Sequence, residues 1–526
     1  MVQMISASTL RSWLYHDAEL ALLDVREVGQ TVLGHILFSA PLPYSVFETR
    51  LGGLVPNPRT RVVLCDAGDG VSERAARRAA AMGYTNVSCL DGGVAAWAAA
   101  GHTLYEGVNV PSKAFGELVE HAADTPRLTA EEVATRSADR TDMVIVDGRP
   151  LEEFAKMNIP GGNCCPNGEL ALRIGALAPD PATTVIINCA GRTRSIIGAQ
   201  TLIDLGIPNP VYALENGTQG WVLAGLDLER GTQGDVPGKP SEIDGHRVRA
   251  KAVADRFDVA AVSSDQVRGW LNDPDRTTYL LDVRTLDERQ EDPVDRRAMI
   301  DALHIAHAPG GQLVQATDQW IGTRRAHVVV LDTEDVRAPV TAAWLRRLGH
   351  DACTVDGGID ALASIDAART PPMPELSDPE EITATQLAPQ LSKVQIIDLR
   401  SSGSYRAGHI PGAVWSTRAR LGAALCDRPV VLVADDPAIA ALATVDLREA
   451  GHADVQILGG GMSAWTAAAY TTDATPDQPT DADRIDFLSF THGRHAGNLD
   501  ASRQYLAWEI ALVDQLDADE RAVFRV

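Results

Sequence analysis

Cysteine is scarce, with seven residues in a chain of 526, at positions 65, 89, 164, 165, 189, 353 and 426. So few, and an odd number, exclude a disulfide framework. No CxxC pair occurs, and the vicinal pair Cys164–Cys165 lacks histidines at zinc-finger spacing, so no metal site is read. Long apolar runs are also missing: none approaches the roughly 18 residues of a membrane helix. The N-terminal stretch has no basic region followed by an apolar one, so no export signal is expected. Basic residues are the minority, 47 Lys and Arg against 71 Asp and Glu, for a formal charge of −24. With no basic face evident, nucleic acid and anionic membranes are excluded as partners. A reducing cytoplasm is the expected compartment.

The remaining composition, 45% hydrophobic and 22% charged, is that of a globular chain long enough for about three to five domains. A short apolar run ending in Asp-x-Arg occurs four times: Asp24–Arg26, Asp147–Arg149, Asp282–Arg284 and Asp398–Arg400. Each is followed by a closing signature, LDGGVAAW ending at Trp97, LENGTQGW at Trp221, VDGGIDAL at Leu362 and LGGGMSAW at Trp465. Such self-similarity is the mark of a repeated structural unit.

Between the two marks lies a second apolar run: RVVLCD (61–66), TVIINC (184–189), HVVVLD (327–332) and VVLVAD (430–435). Continuous β-branched runs suit strands of a parallel sheet, buried on both faces. A small-residue stretch and a helical pattern ending at glycine follow each run, the glycine being a C-terminal helix signal. Strand, tight loop, helix and next strand make an α/β unit, and ligands of such sheets sit beyond the carboxyl ends of the strands. The loop after the second strand is therefore where chemistry is expected. Linkers are read at Pro111–Lys113, Gly231–Ser241, Thr370–Pro379 and 471–483. Tyr505, Trp508, Leu512 and Leu516 fall at helical spacing in the tail, which predicts a docked helix.

From about residue 5 to 470 the chain resembles the rhodanese family, sulfurtransferases that carry sulfane sulfur on a cysteine. The marks are the Asp-x-Arg strand, GHIPGA at Gly408–Ala413 (GHILFSA at Gly34–Ala40), the closing signature and the loop. The resemblance implies an α/β fold of four rhodanese-like domains, each a small parallel sheet flanked by helices, plus a C-terminal helical tail. The expected limits are 1–110, 115–232, 250–370 and 378–472, with linker and tail at 473–526, built as two tandem pairs. By family architecture, unit one and also unit three would wall the active loop.

In the family the loop begins with cysteine, and only Cys189, in CAGRTRS (189–195), fits. Cys189 lies seventeen residues before Gly206. The same distance before Gly349 is Asp332, before Gly83 it is Asp66, and before Gly451 it is Ala434. Cys65 then falls one residue inside its strand unless a one-residue insertion shifts the loop. Unit two, 115–232, is expected to be catalytic and the other three silent.

Backbone N–H groups of a tight loop at a helix start form an anion nest that lowers a thiol's pKa and holds a persulfide. Ala190, Gly191, Arg192, Thr193 and Arg194 are the expected substrate-binding loop, with Arg192 and Arg194 adding positive charge for an oxyanion. An Asp at the first position would fill the nest itself. Asp147 and Arg149 recur in every unit and are read as supporting structure. Arg194 is divided between donor ligand and scaffold. The expected reaction is a double displacement: a donor, thiosulfate or a low-molecular-weight persulfide, loads Cys189, and a thiol or cyanide unloads it. No cofactor or metal is implied, a protein sulfur acceptor stays open, and so does a homodimer. One departure stands out: the commonest family loop has glycine fourth, whereas Gly191 is third and Arg192 fourth.

Cys164 and Cys165 are read as strand packing, with a resolving thiol as the alternative. Asn167, Glu169 and Arg173 either line the pocket or form a solvated helix face. His492 and His495 are read as surface residues before a lid, and His35 and His409 belong to silent units. Two competing functions remain: a non-enzymatic sulfur scaffold or sensor, and a phosphatase or arsenate reductase. Against the latter, only four residues separate Cys189 from Arg194, a tight ring for a tetrahedral oxyanion.

Overall fold

The computed structural model of the chain describes residues 2–526 apart from 17, 367, 369, 377, 378 and 427. Four parallel sheets follow one another along the sequence, as the repeat predicts. In the second, the strand order is Arg127–Leu128, Val211–Leu214, Thr184–Asn188, Met143–Asp147 and Asn163–Cys164. The other three sheets share this order, with the Asp-x-Arg strand beside the strand that precedes the loop. Thr184–Asn188 is buried along its whole length, which is why its sequence is apolar without alternation.

The register settles the position of each loop. Asp147 pairs with Asn188, Asp24 with Cys65, Asp282 with Leu331 and Asp398 with Val433. The next residue in each unit is Cys189, Asp66, Asp332 or Ala434, so Cys65 is a strand residue. Helices Val71–Ala81, Thr193–Asp204, Arg337–Arg347 and Pro437–Glu449 follow the loops. The glycines beyond them, Gly83, Gly206, Gly349 and Gly451, all have positive φ, the left-handed turn that ends a helix and favours glycine.

The units do not pack as tandem pairs. Thr323–Arg324 of unit three adds an antiparallel strand to the sheet of unit one, on Leu20–Asp24. Unit one also meets unit four through Arg418, whose guanidinium lies 2.7 Å from Glu48 and 2.9 Å from Asp446. Unit two meets unit three, where Trp344 Nε1 donates to Thr201 Oγ1 at 2.9 Å and Arg337 reaches Glu169 at 3.1 Å. One apolar core runs through this region, from Phe115 and Ile197 to Val340 and Trp344 and on to Leu512 and Phe524.

Pro111–Lys113 is not a linker but the start of helix Val110–Ala123. Proline at the first helical turn is tolerated because its missing N–H would lack a partner there. Ala114, Phe115, Leu118 and Val119 give that helix a buried face. The tail forms helix Leu499–Gln515, which lies along Val110–Ala123. Gly107 permits this approach, since a Cβ there would come within 2.3 Å of the Trp508 ring. Among the described residues, no helix is long and apolar enough to cross a membrane.

Candidate active site

Cys189 sits between strand Thr184–Asn188 and helix Thr193–Asp204, 2% exposed, with its thiol 3.7 Å from Ser195 Oγ. The closing signature packs against the underside of the loop. Thr218 N–H donates to the Cys189 carbonyl at 2.8 Å, and Gln219 N–H donates to the Ala190 carbonyl at 3.1 Å. Gly217 adopts φ +55, and a Cβ there would stand 2.3 Å from the Cys189 carbonyl oxygen. The corresponding glycine lies under each of the other loops: Gly93 under Asp66, Gly358 under Asp332 and Gly461 under Ala434. The distant DGG-type motif therefore exists to support the loop.

What occupies the loop differs from unit to unit. In unit three, Asp332 accepts from the N–H groups of Asp335 at 2.9 Å, Val336 at 3.0 Å, Arg337 at 2.8 Å and Ala338 at 3.1 Å. In unit one, Asp66 accepts from Gly68 and Ser72, both at 2.9 Å. Two nests are thus filled by their own carboxylates. Unit four places Ala434 there, which offers neither a carboxylate nor a thiol. In unit two, the N–H groups of Ala190, Gly191 and Arg192 have no protein acceptor among the described residues. Cys65 is fully buried with its thiol 3.6 Å from the Leu23 carbonyl, and burial pushes its pKa well up.

The loop arginines do not present free charge, contrary to expectation. Arg192 is turned onto helix Val110–Ala123, where Glu117 holds it at 2.7 and 2.8 Å and Glu120 also pairs with it. Arg194 makes a two-pronged pair with Glu153, both bonds 2.8 Å. Burial would raise the Glu153 carboxyl, but Arg194 overrules it and holds the group below its ordinary value. The same pairing recurs in unit three through a single bond, where Arg337 meets Glu288 at 2.6 Å. Since that unit has no loop cysteine, the recurrence favours the scaffold role for Arg194. Asp147 and Arg149 form a buried two-pronged pair at 2.8 and 2.6 Å, and Arg149 also donates to the Met157 carbonyl. Asp24–Arg26, Asp282–Arg284 and Asp398–Arg400 repeat it.

Asn167 wedges between Gly148 and Gly198, where a Cβ would stand 2.0 or 2.6 Å from its Oδ1, and donates to the Arg194 carbonyl at 2.8 Å. Glu169 and Arg173 do not form a solvated face. They are buried in an ionic network with Arg337 and Glu288. A pocket of about 20 Å³, with room for roughly one water, lies between Asn167, Thr193, Arg194, Ile197, Gly310 and Thr341. Unit three thus forms one wall of the region; helix Val110–Ala123 takes the side expected of unit one. Cys164 is buried 3.6 Å from the Arg149 carbonyl, with its pKa pushed up to about 12 by burial, and Cys165 lies in the core. Burial raises the pKa of both, against the thiolate character that a resolving thiol needs. His35 and His409 are buried and hydrogen-bonded to the carbonyls of Thr31 and Tyr405.

The tail supplies groups that the sequence reading left unassigned. Glu509 accepts from Thr193 Oγ1 at 2.5 Å and from Thr193 N–H at 3.4 Å. Lys113 lies 3.5 Å from the same carboxylate and donates to the Tyr505 hydroxyl. Burial would raise the Glu509 carboxyl, but Lys113 and the Thr193 bonds hold it below its ordinary value. His492 is exposed. His495 is partly buried, and burial with Arg494 and Arg149 nearby lowers its pKa to about 4. Among the described residues, no cluster of three or more His, Cys, Asp or Glu could hold a metal ion.

Residues 6–100, 129–224 and 383–468 match the model of the rhodanese-like domain, and between them these segments hold the loops of units one, two and four. A solved thiosulfate sulfurtransferase from Pseudomonas aeruginosa is 40% identical, covers all of both chains and superposes with a TM-score of 0.90. The thiosulfate sulfurtransferase GlpE of Shewanella oneidensis is 39% identical over 83 residues, which is 15% of the present chain and 82% of that one. Its counterpart from Pseudoalteromonas translucida is 35% identical over 79 residues, 14% of the present chain and 75% of that one.

Proposed function

We propose, since the chain belongs to the rhodanese-like domain family, that it transfers sulfane sulfur through a persulfide on Cys189, from thiosulfate or a small persulfide to cyanide or a thiol. The enzyme class is rhodanese-type. The observation that carries the cysteine assignment is the register: Cys189 alone occupies the first loop position, where Asp66, Asp332 and Ala434 stand in the other units. Unit two is the catalytic one in this reading.

In the first half-reaction the Cys189 thiolate attacks the outer sulfur of thiosulfate. The sulfur–sulfur bond of the donor breaks, sulfite leaves with its electron pair, and a persulfide anion remains. Cyanide then attacks the terminal sulfur, thiocyanate leaves, and the thiolate returns. The free N–H groups of Ala190, Gly191 and Arg192 support the anionic sulfur as preorganised dipoles. Arg192, Thr193 and Arg194 hold the loop's shape through their carboxylate partners, and the Asp147–Arg149 pair fixes the strand beneath. The deep burial of Cys189 favours a small acceptor.

Burial of the thiol and three loops without cysteine also favour a sulfur-binding scaffold or sensor, which would load sulfur but not turn over. Steady-state rates with varied thiosulfate and cyanide separate the two. Parallel double-reciprocal lines, with activity lost in Cys189→Ser, are expected of the double displacement. Turnover that survives Cys189→Ser would overturn the assignment, and loading without turnover would establish the scaffold.

A further inference from the structure

Glu509 is a costly residue to bury. It is 1% exposed, and its Oε2 has no hydrogen-bond partner among the described residues. A tail that merely docked would be better served by an apolar side chain of similar size. Instead Glu509 reaches across 316 positions of sequence to bond both donors of Thr193. Its second oxygen faces Gly191, where a Cβ would stand 3.0 Å away, and Tyr505 abuts the same position at 3.1 Å. The absent Cβ is what admits the tail.

Comparison with unit three gives this contact its meaning. Both loops begin seventeen residues before the helix-terminating glycine, so Thr193 corresponds to Val336, and the Arg194–Glu153 pair coincides with Arg337–Glu288 in this alignment. In unit three the Val336 N–H is bonded by Asp332, the first residue of its own loop, at 3.0 Å. Unit two has cysteine at that position, whose thiol reaches Ser195 Oγ at 3.7 Å but, as a weak acceptor, cannot gather the loop amides as the Asp332 carboxylate does. The carboxylate that holds the corresponding amide comes from the tail.

We infer that Glu509 is a positioning residue for the sulfur-carrying loop, replacing from the tail the acceptor that the silent unit supplies from its own first loop residue. The inference rests on the reading of Cys189 as the sulfur carrier. Glu509 clamps the loop at Thr193 and leaves for the sulfur the amides of Ala190 and Gly191 and those of Arg192, Arg194 and Ser195, the last three corresponding to amides that Asp332 fills in unit three. Lys113 balances its charge, so the clamp does not set a bare anion beside the thiolate.

The test uses the full chain as wild type, Glu509→Ala, Glu509→Gln, Thr193→Val and the Glu509→Ala/Thr193→Val double variant. Three quantities are read: turnover with thiosulfate and cyanide, the pH profile of Cys189 alkylation by iodoacetamide, and the thermal midpoint. Loss of a charge-assisted hydrogen bond to the loop should lower kcat about 10-fold or more in Glu509→Ala, with KM for thiosulfate changed about 2-fold at most and the alkylation profile displaced. Glu509→Gln keeps an oxygen for Thr193 and should recover most of that loss. Thr193→Val, the milder change, should reproduce part of it, and the double variant should be no worse than Glu509→Ala, as for one shared interaction. The inference is overturned if Glu509→Ala or Thr193→Val keeps wild-type kcat and alkylation profile, or if their losses multiply. Failure of wild type to load Cys189 would instead remove the underlying reading.

Discussion

At the scale of the residue, identity alone misleads. Cys65 and Cys189 both end a β-branched run, and both precede a small residue or a loop aspartate. Counting back from the helix-terminating glycine separates them in the sequence, and the pairing of Asp24 with Cys65 and of Asp147 with Asn188 gives the same result in space. The count works because a loop and helix of fixed length put the left-handed glycine in the same place in each unit. The roles of the arginines were not legible in this way. Arg192 is drawn away by Glu117 and Glu120, from a helix of which only the start, Pro111–Lys113, reads as a linker in sequence, and Arg194 is matched to Glu153. A different arginine carries the strand: with Arg149 and Asp147 both about 1% exposed, Arg149→Met would leave a buried carboxylate unpaired. The expected cost is about 3–5 kcal/mol, read as an earlier urea transition. An unshifted transition would show that solvent or Asn188, which donates to Asp147 at 3.0 Å, already satisfies the carboxylate.

At the scale of the element, the α/β repeat was legible because strand runs, loop and helix each carry their own local signal. The purpose of the closing signature was not, since its contact with the loop is made only after the chain has returned to the sheet. Gly217 tests that contact against a matched control. Gly217→Ala must place a Cβ at 2.3 Å from the Cys189 carbonyl, whereas Gly461→Ala in unit four meets the Ala434 carbonyl at 2.7 Å. Both replace glycine at positive φ and should destabilise by about 1 kcal/mol or more. Only Gly217→Ala should slow sulfur loading, by about 10-fold or more if the loop is displaced by an ångström. Equal loading in the two variants would mean that the loop holds its shape without the glycine beneath it.

At the scale of the whole molecule, the sequence predicted four units and a docked tail but the wrong arrangement of units. Tandem pairing is a statement about contacts between surfaces, and no local periodicity records which surface meets which. Strand Thr323–Arg324 joining unit one, and Glu509 reaching Thr193, are invisible for that reason. Acidification tests the tail as a body. His495 has a folded pKa of about 4 against an ordinary 6.5, so between these values the released tail binds a proton that the docked tail does not. Docking stability is therefore present above about pH 6.5 and is lost progressively as pH falls toward 4. The falling net negative charge acts on the whole chain in the opposite sense, so the readout is local. Hydrogen exchange over residues 488–515 should accelerate between pH 7.5 and pH 5 relative to helix Pro437–Glu449, after correction for intrinsic rates. Uniform protection at both pH values would show that His495 does not govern docking.

The central claim is that one loop of four carries sulfur, and intact-protein mass after incubation with thiosulfate, before and after cyanide, tests it most directly on wild type, Cys189→Ser and Cys65→Ser. One added sulfur atom is expected in wild type and in Cys65→Ser, removed by cyanide in both and absent from Cys189→Ser. Sulfur retained by Cys189→Ser, or lost from Cys65→Ser, would contradict the account.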